Sequence, residues 1–306
     1  MLSAPLSGPL PTTIAAVLDR LETVVLGKRR QVELAAACMI AGGHLLIEDR
    51  PGTGKTVLAH ALAVAFGLEF CRVQFTSDLL PGDLLGTSIY DRASGRFSFR
   101  PGPIFTSVLL ADEINRAPPK SQSALLEAME ERQVSIDGHT HPLPETFFVI
   151  ATQNPEEATG TFPLPEAQLD RFLMRIHMGY PDRETELALL GIGDRRPAAR
   201  RIGAAIDVAG LRILQAQAAT IHASPALLAY VWSLLDATRS AAGLRHGLST
   251  RAGLALLRAA RAWALLQGED KVLPGHVQAV LGPVVAHRLG MPDSSVQHLL
   301  ESVAVG

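Results

Sequence analysis

Cysteine is scarce. The chain has two, Cys38 and Cys71, each in apolar surroundings and neither in a Cys/His cluster with zinc spacing. That excludes a disulfide framework and a thiolate zinc site, and both cysteines are expected as buried free thiols of a cytoplasmic protein. No apolar run reaches the roughly 18 residues that would signal a membrane span. The opening segment MLSAPLSGPLPTT has no basic start and no continuous apolar stretch, so a signal peptide is not expected; residues 1–13 read as a loose leader. An excess of one charge is missing too: 28 Lys+Arg against 30 Asp+Glu give −2 and a pI near 6.6. The whole-chain basic footprint of a nucleic-acid binder is therefore absent, although a local basic pore stays open. Repeats and low-complexity tracts are absent as well. With 306 residues, 47% hydrophobic and 19% charged, the chain is globular and long enough for two domains.

The most informative stretch is LLIEDRPGTGKT at 45–56. Leu45, Leu46 and Ile47 form a short buried strand, residues 49–54 break it, and Lys55-Thr56 open an apolar helical run. Strand, glycine loop, Lys-Thr and helix is the context of a phosphate-binding loop. Helix-start N–H groups and the helix dipole attract an anion, and Gly52 and Gly54 let the backbone curl around it. Pro51 and Thr53 complete the loop, Lys55 supplies a point charge for the β- and γ-phosphates, and the Thr56 hydroxyl suits Mg²⁺. The strict pattern has Gly where this chain has Asp49, a carboxylate that would repel phosphate if it faced inward.

Two helices precede that strand, at 14–26 and 30–41, separated by Gly27. Gly27-Lys28 is a candidate to pack near an adenine ring. Further buried strands are expected at 70–75, 107–111 and 147–151. Strands alternating with helices imply an α/β fold, a parallel sheet covered by helices on both faces. Residues 84–105 carry two short alternating segments around a Gly turn, and 134–146 carry Asp137-Gly138 between two more; both are hairpin signals. His139 and His141 share one side of the second hairpin, two possible metal ligands without a third. The α/β core spans 14–181, a linker 182–206, basic and Ala/Gly-rich over Arg195–Ala205, and an all-α domain 207–306.

The apolar strand VLLA ends in Asp112-Glu113, which places two carboxylates at the carboxyl edge of the sheet, where open α/β sheets bind ligands. Asp112 is the candidate to hold Mg²⁺ through water, and Glu113 to polarise an attacking water. The chain's only two asparagines, Asn115 and Asn154, both follow strands; Asn154 is placed to orient that water or touch a γ-phosphate. Arg171, in PEAQLDRF, is a candidate to reach a neighbouring subunit's nucleotide, where such an arginine is worth about 10³–10⁵ in rate. Arg251 opens a helix with Ser249 or Thr250 as its cap and is expected to fold onto the γ-phosphate. Arg116, beside the acidic pair, is a second candidate inter-subunit contact.

Together PGTGKT at 51–56, FTSDLLPGDLLGT at 75–87, VLLADEINRAPPKSQSALLEAMEERQV at 108–134, ATQNPEEATGTFPLPEAQLDRF at 151–172, GYPDRETE at 179–186 and STRAGLALLRAARAWALL at 249–266 resemble the MoxR family of AAA+ ATPases. The resemblance implies a P-loop NTPase core with a smaller helical lid, the family's helix-2 insert at 84–105 and its pre-sensor hairpin at 134–146. It implies Asn154 as first sensor, Arg171 as arginine finger and Arg251 as second sensor. It further implies ATP and Mg²⁺ as cofactors, a hexameric ring, and a protein client, often with a von Willebrand A domain partner. A nucleic-acid motor, which Arg92, Arg96 and Arg100 leave open, and a magnesium-chelatase-like motor subunit are the alternatives. So is a non-hydrolysing nucleotide switch, against which the Asp112-Glu113 pair and Arg171 argue.

Overall fold

The computed structural model describes residues 10–92, 95–155, 159–240, 246–292, 296 and 303–304. Two helices, α1 (Leu10–Glu22) and α2 (Arg29–Ile40), lead into β1 (Leu45–Glu48), the phosphate-loop strand, and α3 (Lys55–Ala65) follows the loop. The first helix starts ahead of residue 14, inside the stretch expected as leader. Next come β2 (Phe70–Gln74), a short α4 (Pro81–Leu85), the hairpin β3 (Gly86–Asp91) and β4 (Arg96–Pro101), and β5 (Val108–Asp112). Then α5 (Pro119–Glu131), the hairpin β6 (Gln133–Ile136) and β7 (His139–Pro142), β8 (Phe148–Gln153), α6 (Glu166–Leu169) and β9 (Met174–Ile176) complete the core.

Five strands form one parallel sheet in the order β2-β5-β8-β1-β9. Its three central strands are apolar and almost wholly buried, as a sheet covered on both faces requires. Successive side chains divide between the faces. Leu45, Ile47, Leu110 and Ile150 join the core made with α1, α2 and α3, whereas Leu46, Leu109, Val149 and Ala151 join the one made with α5. The register sets Gln74 opposite Asp112 and Glu48 opposite Gln153, so the carboxyl ends of β1, β2, β5 and β8 finish side by side.

Both inserts are hairpins. Gly86 and Gly102 close the base of the first: a Cβ on Gly102 would come within 2.3 Å of the Leu84 carbonyl oxygen. In the second, Asp137 and Gly138 both have positive φ, the requirement of a type I′ turn. His141 stacks on Phe99 with ring centroids 4.0 Å apart and so ties one hairpin to the other. Among the described residues no group of three or more His, Cys, Asp or Glu could hold a metal, so His139 and His141 have no third ligand there. Cys38 is buried and Cys71 half-buried, both free thiols.

Residues 182–206, expected as a plain link, carry α7 (Arg183–Ile192) and the one-turn α8 (Arg196–Ala199). Asp182 caps α7 by accepting from the Thr185 N–H at 2.8 Å. The lid follows as α9 (Val208–Thr220), α10 (Pro225–Ser240), α11 (Thr250–Leu266) and α12 (Pro274–Leu289). It docks behind the sheet: α9 and α11 pack on α2, and α12 packs on the edge strand β9. Arg30 of α2 lies over the Trp263 ring, 4.2 Å from its centroid. Among the described residues no helix is long and apolar enough to cross a membrane.

Candidate functional site

The loop between β1 and α3 is held in the shape an anion needs. Gly52 and Gly54 take φ of 87° and 90°, and a Cβ on either would meet nothing within 4 Å. Glycine is required there by the backbone conformation, and the space before it is open. Gly54 is the N-cap of α3 and gives no side-chain capping bond, so the first N–H groups of the helix face the opening. The Lys55 Nζ donates to the carbonyl oxygens of Asp49 and Arg50, at 2.5 and 2.9 Å. Partial burial lowers its pKa, opposed by Asp49, Asp112 and Glu113. Asp49 does not face the anion space. Its carboxylate accepts from the Gly179 N–H at 2.5 Å and from the Arg50 N–H at 2.8 Å, fastening the loop to the chain beyond β9.

The same cleft is walled by Pro51, Lys55, Thr56, Asp112, Glu113 and Asn154. Asp112 is buried at the end of β5. One of its oxygens accepts from the Thr152 hydroxyl at 2.6 Å, the other from the Arg72 guanidinium at 2.6 and 3.0 Å. Glu113 leaves the strand with φ of 57°, a left-handed conformation uncommon outside glycine. Its Oε2 accepts from Gln74 Nε2 at 2.8 Å and pairs with Arg116 Nε at 2.9 Å. Arg116 is thus a partner of the acid it follows. Thr56 and Asp112 offer only oxygen donors. That sparse set fits Mg²⁺, which keeps several waters and shares its coordination with substrate phosphates.

A second cluster lies elsewhere on the molecule. Arg171 pairs with Glu130 Oε2 at 3.0 Å, and Arg251 with Glu130 Oε1 at 3.1 Å and Asp170 Oδ2 at 3.6 Å. Arg171, Arg251, Arg258 and Arg288 line one concavity, which shares no residue with the P-loop cleft.

Residues 44–174 match the family described as ATPase family associated with various cellular activities (AAA), and residues 236–302 match the AAA lid domain. The chain is 39% identical to Chaperone MoxR1 of Mycobacterium tuberculosis over 96% of its own length and 82% of that protein's. It is 38% identical to Protein MoxR of Paracoccus denitrificans, covering 88% and 86% of the two chains. A solved structure from Cytophaga hutchinsonii superposes with a TM-score of 0.86 at 37% identity, covering 96% of this chain and 95% of that one. The chain belongs to the MoxR family of AAA ATPases. It is an ATP hydrolase with the fold expected, a parallel-sheet P-loop core and a helical lid.

In this MoxR-family protein the P-loop, the acidic pair and Asn154 line one cleft, and two further candidates, Arg251 and Gly27, lie outside its lining. Arg251 does not fold over its own P-loop; the lid docks on α2 and β9, which carries the start of α11 to the side of Arg171. Gly27 does not wall the cleft. It packs against Thr185 of α7, where a Cβ would come within 2.7 Å of the hydroxyl, and neighbouring Lys28 donates to the Tyr180 carbonyl at 2.7 Å. Thr53 bonds within the loop, its hydroxyl donating to the Arg50 carbonyl at 3.2 Å. Sequence reasoning missed Arg72, Gln74 and Thr152, which hold the acidic pair, and Asp194 and Arg196, which wall the cleft from the link. Arg72 and Gln74 carried a signal: two polar residues two apart on a strand point to one side.

Proposed function

We propose that this protein hydrolyses ATP with Mg²⁺ as part of a cytoplasmic, hexameric ring, and uses the cycle to remodel or activate a protein client, in company with a protein bearing a von Willebrand A domain. The convergence of the Lys55–Thr56 loop, Asp112, Glu113 and Asn154 on one cleft carries the reading. Lys55 exchanges two loop carbonyls for the β- and γ-phosphates, and the Gly52–Gly54 backbone binds the same anion. Mg²⁺ bound beside Thr56 and Asp112 would neutralise phosphate charge. Glu113 takes the proton of the attacking water, and Asn154 orients that water toward the γ-phosphorus. Gln74 and Arg116 aim the Glu113 carboxylate.

The guanidinium that lines the cleft, Arg196, is paired with Asp194 at 2.9 Å, so among the described residues the cleft holds none left over for the charge that develops on the γ-phosphate. Arg171 and Arg251 stand together on another part of the surface, so each serves the nucleotide of the next subunit and the site is complete only in the assembly. The names of the MoxR relatives, one of them a chaperone, support a client-directed role. The test is ATPase activity against protein concentration. Specific activity rises as the ring assembles, and chelating the metal or Lys55→Ala abolishes it. Specific activity independent of concentration, from a species that stays monomeric with ATP bound, would overturn the ring.

A further inference from the structure

We propose that Arg288, in the last turn of the lid helix α12, is the positioning residue that presents Arg171 to the neighbouring subunit. The inference rests on the trans reading of Arg171 given above.

The segment that carries Arg171 is anchored on its far side, where Phe172 and Leu173 are buried, and less so before it. It is a turn between α6, four residues long, and β9, three residues long. Up to Phe172 its backbone bonds are short-range: Arg171 N–H to the Gln168 carbonyl at 3.3 Å and Phe172 N–H to the Leu169 carbonyl at 3.0 Å; only at Leu173 does a bond reach the core, N–H to the His44 carbonyl at 2.8 Å. Arg288 adds bonds on both sides of Arg171. Its side chain is only 6% exposed, and its Nε pairs with Asp170 Oδ1 at 2.7 Å. Its Nη2 donates to the Phe172 carbonyl at 2.8 Å and the Asp170 carbonyl at 3.3 Å, and its Nη1 donates to the Leu173 carbonyl at 3.2 Å. One more bond returns to its own helix at Val284. Every core acceptor of this guanidinium therefore lies within 170–173, on both sides of Arg171. The adjacent His287 ring nitrogen adds a bond to the Phe172 carbonyl at 3.1 Å.

A planar fork with fixed donors can hold three carbonyls and a carboxylate together; an ammonium on a flexible stem holds them one or two at a time. Among the described residues the Arg171 side chain pairs with Glu130 alone, so the direction in which it leaves the turn follows the backbone that Arg288 helps to fix. Any shift of α12 against β9 then moves the trans guanidinium. Misplacement of a charge-stabilising group by a fraction of an ångström costs rate while leaving substrate binding at a separate site intact.

The test compares full-length Arg288→Lys, Asp170→Asn, Arg171→Ala and the double variant Arg171→Ala/Arg288→Lys. A fluorescent ATP analogue reports P-loop affinity, thermal unfolding reports integrity, and steady-state ATPase reports kcat and KM. Arg288→Lys is expected to lower kcat about 10-fold or more with KM and analogue affinity within about 2-fold of the parent. The double variant is expected to be no slower than Arg171→Ala alone, because both changes remove the same action. Losses that multiply in the double variant would make Arg288 a structural staple and overturn the proposal. So would Arg288→Lys turning over at the parent rate while Arg171→Ala does not. Arg171→Ala at the parent rate would instead overturn the trans reading and this inference with it. Should Arg288→Lys fail to fold, Asp170→Asn breaks the same ion pair from the other side and decides on the same criteria.

Discussion

Arg171 and Arg251, from the core and the lid, bind opposite oxygens of the one Glu130 carboxylate, at 3.0 and 3.1 Å. A single acid on α5 thus gathers two guanidiniums that the chain brings from different domains. The pairing places them side by side, and on the proposed trans role it decides how loss of either should behave.

Arg171→Ala is expected to lower turnover by on the order of 10³ without weakening nucleotide binding, as loss of a trans-acting arginine does. Arg251→Ala should move in the same direction. Mixing Arg171→Ala with Glu113→Gln subunits, each inactive alone, should restore ATPase activity. Some interfaces then pair an intact acid with an intact arginine. No activity in the mixture, measured over a range of ratios, would show that the arginines act within their own subunit.

Glu113→Gln is expected to bind ATP and to slow its hydrolysis by about 10² or more, the usual contribution of a general base. The bonds from Gln74 and the Arg116 side chain act on an oxygen that glutamine also possesses, so the local geometry tolerates the change. Single-turnover hydrolysis at saturating protein checks it. Turnover at the parent rate would assign the base elsewhere.

Asp49→Ala separates two readings of the departure from the strict loop pattern. The carboxylate accepts from Gly179 and Arg50 and is not aimed at phosphate. Its removal should cost about 1 kcal/mol of stability, the net worth of such a hydrogen bond at a partly exposed site. Affinity for ATP should not rise. Urea unfolding and nucleotide titration of the same variant report the two quantities.

Acid should destabilise the fold before the carboxylates titrate. Burial pushes the pKa of His44 down to about 3, and burial beside Arg288 and Arg175 also pushes that of His287 well below the usual value. His44 accepts the Val149 N–H on Nδ1 and lies 3.3 Å from the Met129 carbonyl through Nε2, a neutral tautomer locked into the core. Its folded pKa is lowered. Between about pH 6.5 and 3 the unfolded chain therefore binds the proton and the folded chain does not, and stability falls as pH falls through that window. The slope approaches about 1.4 kcal/mol per pH unit for each such histidine. Urea titrations at pH 7, 6 and 5 measure it; equal stability at pH 7 and 5 would contradict the buried neutral state.

Much of this was legible in the residues themselves. The central strands are unbroken apolar runs because both faces of a parallel sheet are covered, and Gly52, Gly54 and Gly138 sit where the backbone needs positive φ. Asp112, Glu113 and Asn154 lie at strand ends, and strand ends meet at one edge. The position of Arg251 was not legible. A helical apolar stripe says that a face is covered and is silent on what covers it, so the docking of α11 on α2 cannot be read from its pattern. Arg288 looks like an ordinary base at a helix C-terminus, where the dipole favours one, and Glu130 like a solvated acid. Their roles arise only from the segments that folding brings beside them.

The apolar residues of α2 and α3 and those of α11 and α12 form one packed cluster. The helices of the lid accordingly share their interior with those of the core. Heat should melt the whole molecule in one transition, and calorimetry would record one endotherm. Severing the chain within 182–206 would leave two fragments that stick to each other or precipitate, because each would present to water the greasy half of a shared interior.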